Sequence, residues 1–279
     1  MHRMSRLIKI YVRSWLLALL ALANAPAAMS AQQSNKELGT IVSQIRRADY
    51  ADDRAALQTL YRRLEVPASD QKLASRVKYW RGFALWRRAI NGFNDGIERA
   101  DLQKDLETGR NEFEQAARMD PTFADAKVGE LGCISLIGYV LLENGAQMGD
   151  PPVQKIFVDM RRLRSEAEAI DKDNPRLLWV MGPNVWKSPP ERGGGEAKAM
   201  EMYEKGLAVI RRQRAKGDPL EPVWGEPELL MNLAYANLNR QAPDLKAAEA
   251  YANEALTLVP YWHYVRDILK PQIEQAKKK

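Results

Sequence analysis

Small residues recur in this chain, from Arg76 to Pro260, at positions that suit tightly packed helix pairs. In PELLMNLAYANLNRQAPDLKAAEAYANEALTLVP, Pro227 to Pro260, Leu233 and Ala234 mark one helix, Ala248 and Ala255 the next, and Pro260 the stop. Gly82, Gly109, Phe113, Ala116 and Pro121 form an earlier copy, and Met181, Gly182, Ala199, Tyr203 and Gly206 another. The poorest copy, Ala124 to Lys172, carries Met160 and Arg164 where the others carry a small residue and an aromatic; only its Ala167 fits. Two antiparallel helices approach closely only where side chains are small, and large apolar residues fill the space around those points. Proline then ends the second helix, having no N–H for the next backbone bond.

Counting between these positions separates two kinds of junction. From Pro121 to Leu131 and from Lys172 to Gly182 the step between copies is 10 residues, the spacing of an uninterrupted array. Within copies the two helix positions stand 27, 29, 17 and 14 residues apart in chain order. The pattern resembles the tetratricopeptide repeat family, in which that inner spacing is about 12. The resemblance implies an all-α fold: a tetratricopeptide-like α-solenoid of antiparallel helix pairs with long intra-repeat insertions and a C-terminal capping helix. The surplus residues fall at Asn91 to Asp105, Asn144 to Gln154 and Lys187 to Gly195, at one edge of such an array, and Arg212 to Gly225 reads as an ordered loop at the last junction.

Four segments are expected: a signal peptide over 1–31, a degenerate N-terminal helix pair over 32–72, the repeats over 73–260, and a capping helix with a basic tail over 261–279. Arg3, Arg6, Lys9 and Arg13 precede a short apolar stretch, Trp15 to Ala23, and a small-residue region suited to cleavage. The stretch is too short for a stable membrane span, so a periplasmic or secreted bacterial product is expected. Removing those four cations lowers the formal charge from +6 to +2, which withdraws support for a nucleic-acid partner. Lys36 to Arg47 and Asp52 to Leu64 read as two helices split at Ala48 to Tyr50, and Tyr261 to Gln275 as the cap, with Pro271 kinking or ending it. Pro183 suggests that the helix after Gly182 is broken.

Catalytic, metal and cofactor chemistry find no footing. After leader removal His263 is the remaining histidine, which excludes histidine triads and multi-histidine zinc sites. Cys133, the single cysteine, lies in the apolar run Leu131 to Leu142 and suits a buried position. No pair of carboxylates stands out as acid and base, so no enzyme is expected.

In proteins that look like this, the first helix of each repeat lines a concave face. That register places Arg76, Tyr79, Phe83, Trp86, Arg87, Arg176, Trp179, Trp186, Lys187 and Tyr235 in the groove. Two arrangements fit these residues: an open groove that stacks on a ligand and holds a carboxylate with its cations, or aromatics packed between helices. The favoured function is a scaffold binding a peptide segment or partner protein through the concave face or the inserted edge. The alternative is a periplasmic accessory protein for a small organic ligand, since Pro121 to Pro260 is similar to the helical T component of some TRAP transporter systems. The chain lacks the lipid-attachment cysteine after its leader, a departure from a membrane-anchored component.

Overall fold

The computed structural model describes residues 35–67, 70–213 and 217–278; the expected leader lies outside them. The chain divides between Ile41 and Val42 into two units, and the fold below is that of the second, Val42–Lys279. It is all-α, with no strand among the described residues. In order, the helices are α1 (35–50), α2 (Arg54–Arg63), α3 (Gln71–Asn94), α4 (Arg99–Met119), α5 (Ala124–Glu143), α6 (Pro151–Ile170), α7 (Pro175–Lys187), α8 (Glu196–Gln213), α9 (Glu226–Asn239), α10 (Leu245–Leu258) and α11 (Lys270–Ala276). No described helix is long and apolar enough to cross a membrane.

Short polar turns start the helices. Asp53, Asp70, Asn174 and Asp244 each accept a backbone N–H from the first turn of α2, α3, α7 and α10, at 2.8–3.0 Å. Losing such a cap costs about 1 kcal/mol. Neighbouring helices then pair, α3 with α4, α5 with α6, α7 with α8 and α9 with α10, while α3, α5, α7 and α9 also touch in succession as an inner row.

The small residues lie where the sequence pattern required them. A methyl group on Gly82 would stand 3.0 Å from the Gly109 carbonyl oxygen and 2.9 Å from Phe113 Cγ, so only glycine lets α3 and α4 meet there. Gly182 lies directly beneath the Tyr203 ring, which joins α7 to α8 in the same way.

Four local expectations change. The first break falls after Tyr50 rather than before it, because Asp52 takes the left-handed conformation (φ 61°) and Asp53 caps α2. Asn91 to Asp105 mostly lengthens α3 and α4, since Leu102 and Leu106 are fully buried. α7 continues through Pro183 to Lys187. Finally, Pro271 does not end the last helix: the turn Tyr264–Leu269 is wide, with Lys270 donating to the Val265 carbonyl five residues back. Pro271 has no N–H to offer Asp267, and its ring would strike that carbonyl in a normal turn. Trp262, Val265, Leu269 and Ile273 are buried in one core cluster with Leu233, Ala252 and Ala255, so a cap over α9 and α10 is present.

Candidate functional site

Tyr79, Phe83 and Trp86 share one face of α3 because they stand four and three residues apart. That face is closed. Trp224 reaches over it from the loop before α9, 5.4 Å from Phe83 and 5.9 Å from Trp86, ring centre to ring centre. Trp179 of α7 completes the stack, 5.7 Å from Trp86 and 5.5 Å from Trp224. Backbone contacts hold the loop in place. Trp80 Nε1 donates to the Leu220 carbonyl at 2.7 Å, Arg176 Nη2 to the Pro222 carbonyl at 2.5 Å, and Trp224 Nε1 to the Tyr79 hydroxyl at 2.7 Å. The loop therefore lies on the inner row much as a bound peptide would.

The basic residues are engaged as well. Arg76 bonds Asp120 at 2.9 Å and Glu221 at 2.8 Å, and its guanidinium lies 3.6 Å from the Phe123 ring centre. Arg176 pairs with Asp125 at 3.0 Å. Arg87 meets Asp49 at 2.8 Å, carried in by the end of α1. Behind it, fully enclosed Glu228 accepts the Gly225 N–H and the Tyr50 hydroxyl, each at 2.9 Å, while Arg87 Nη2 stands 3.8 Å away. Burial pushes the Asp49 carboxyl up to about 6, with the Arg87 charge holding it from rising further.

Six of the expected groove residues, Arg76, Tyr79, Phe83, Trp86, Arg87 and Arg176, are thus buried. The reason is steric and electrostatic together: two segments of the same chain, the end of α1 and Leu220 to Gly225, occupy the face these residues line. Trp179 is half-buried against the same stack.

The other three, Trp186, Lys187 and Tyr235, line an open cleft of about 430 Å³. Trp186 and Lys187 come from the end of α7, and Met231 and Tyr235, one helical turn apart, from α9. Two members escaped the sequence reading. Tyr203 enters from α8 because Gly182 leaves room for its ring, and Tyr264 enters from the wide turn that Pro271 imposes. Their signals were Tyr203 in the aromatic position opposite a glycine, and an aromatic cluster shortly before a proline.

The cleft is aromatic and polar only at its edges. Tyr203 is almost fully buried, Tyr264 half-buried and Tyr235 46% exposed, so the aromatic surface runs from floor to mouth. Burial raises the Tyr264 phenol to about 12 and Tyr203 higher still, so both hydroxyls stay neutral at physiological pH. Among the described lining residues Lys187 is the one that carries a charge. Its ammonium stands 5.5 Å from the ring of Tyr139 on α5.

No protein-family model matches the chain, and no curated protein matches it. Among solved structures, the HusA haemophore from Porphyromonas gingivalis is similar in fold, with a TM-score of 0.53 and 16% identity over 72% of this chain and 93% of that one.

Proposed function

We propose that this chain is an exported, non-catalytic binding protein of tetratricopeptide-like build, and that its cleft holds a flat, largely apolar ligand with an anionic edge. The aromatic lining with Lys187 at the mouth carries this reading. A volume of about 430 Å³ falls within the usual range of small-ligand pockets, roughly 300–1,000 Å³. Ring faces stack on a flat π-system, and a single cation selects for an anionic substituent. The fold likeness to a haemophore supplies a first probe, a tetrapyrrole bearing carboxylates.

Stacking on the ring faces is the holding force in this reading, so the metal is not needed for binding. Metal-free protoporphyrin should then bind within a few-fold of haem in an absorbance or tryptophan-fluorescence titration. Trp186→Ala and Tyr235→Ala should each weaken binding about tenfold or more, the loss of a stacking partner together with buried area. Titrations in which both variants bind porphyrin like the parent would refute the cleft.

The protein-binding reading keeps one observation. Tyr139, Leu142 and Met148 are exposed along the α5–α6 edge, with Phe93 5.7 Å from Tyr139. A partner held there would be lost on Leu142→Ala and Met148→Ala, changes that leave porphyrin binding intact. The α3 part of the inner face is covered by Trp224 and its loop, so a partner on that face would have to use the open end at Trp186 and Tyr235.

A further inference from the structure

One junction of the array is open on the outer side. α4 packs against α5 and α8 against α9, with Leu229 of α9 seated 3.0 Å from where a Gly206 side chain would begin, but α6 diverges from α7 after their shared turn. The cause is a residue. Phe113 in α4 and Tyr203 in α8 fill the corresponding position with buried rings, whereas α6 has Arg164. A lone guanidinium is too costly to bury, so Arg164 lies exposed and pairs with Glu168 at 2.8 Å. A cleft of about 580 Å³ lies between α6 and α8, floored by α7, with Arg164 on its wall.

Its chemistry is two-sided. Leu177, Leu178 and Met181 form the floor, and Met202 leans in from α8, an apolar surface whose methionines adapt to a flexible guest. Arg164 and Lys172 stand on one wall, Lys198 and Lys205 on the other. Glu168 and Glu201 are the acidic lining residues, held by Arg164 and Lys198, and Lys205 pairs with Asp173 beside the cleft, which leaves Lys172 as the lining cation with no acidic partner among the described residues. No ring lines this cleft, so it does not suit the flat guest assigned to the aromatic site.

We infer that this second cleft binds a single-chain anionic amphiphile of the fatty-acid class, its alkyl chain along the α7 floor and its carboxylate at Lys172, with the paired Lys198 across the cleft. Charge complementarity selects the anion and the apolar floor selects the chain. The inference stands apart from the aromatic cleft, sharing no lining residue with it.

Calorimetric titration of the full chain with octanoate, decanoate and dodecanoate tests it. Affinity should rise about fourfold per added methylene until the floor is covered. Dodecyltrimethylammonium should bind at least tenfold more weakly than dodecanoate. The double variant Lys172→Glu/Lys198→Glu changes exposed side chains only and should lose dodecanoate at least tenfold while keeping its melting temperature and porphyrin binding. Met202→Gln, which keeps volume and adds polarity, should weaken dodecanoate several-fold. Equal affinity for the cationic amphiphile, indifference to the charge reversal, or displacement of dodecanoate by porphyrin would each overturn the assignment.

Discussion

At the scale of single residues, Trp224 is the side chain that closes the aromatic face of α3. It is buried to 1% exposure, touches four aromatic rings or cations, and gives its N–H to Tyr79. Trp224→Ala should lower stability by about 3–5 kcal/mol in urea denaturation. Trp186→Ala, on the wall of an open cleft, should cost clearly less. Asp49 offers a pH test. Its folded value of about 6 lies above the ordinary 3.8, so the folded state holds the proton more tightly than the unfolded one. Stability from this group is therefore lowest above pH 6 and is gained as pH falls from there toward about 4. Burial and the nearby Asp95 raise Asp52 to about 6 too, so it acts in the same direction. Groups with lowered values, Asp120 and Glu166 among them, lose stability at more acidic pH, which sets an optimum between. Melting temperatures measured from pH 4 to pH 8 should show this rise on acidification, and Asp49→Asn should flatten it.

At the scale of elements, sequence spacing carried most of the information about pairing. The positions of Gly82, Gly109, Gly182 and Gly206 follow from the rule that close helices need small residues, and each sits at such a contact. What spacing could not say is which aromatic face stays open. Phe83 and Tyr235 occupy equivalent positions on inner helices, one residue after Gly82 and one after Ala234, yet the first is covered and the second exposed, because the loop over α3 comes from more than 100 residues downstream. That is a property of the path of the chain, invisible in any local pattern. The wide turn was likewise illegible, since a proline specifies a missing donor and not how the backbone absorbs it. Pro271→Ala restores the donor and should tighten Tyr264–Leu269 to ordinary helix, turning Tyr264 out of the cleft. Porphyrin affinity should fall several-fold with little change in melting temperature. Gly182→Ala should lower both porphyrin affinity and melting temperature, because a methyl group there meets the Tyr203 ring directly.

Within the unit from Val42 onward, the two ends of the array are fastened to each other. Tyr50 bonds Glu228 across 178 residues of sequence and packs 5.0 Å from Trp262, while Arg47 lies over Tyr261. Such an arrangement differs from an open row of repeats, in which each unit leans only on its neighbours and can melt independently. Amide exchange should report one cooperative opening that includes the end of α1 and the helix α10 together. Tyr50→Phe leaves Glu228 one donor short and should cost about 1–3 kcal/mol. It should also separate the protection of these two regions.

Order of synthesis follows from the same fastening. A chain that emerges from its N-terminus presents Tyr79, Phe83 and Trp86 long before Trp224 exists to cover them, and Arg87 with Asp49 before Glu228 arrives. Every growing intermediate short of residue 228 carries a bare aromatic face, and the last segments delivered are the ones that seal it. Folding of this protein should therefore wait on its C-terminal third, and a chain cut before Trp224 should expose this aromatic face rather than form a smaller version of the whole.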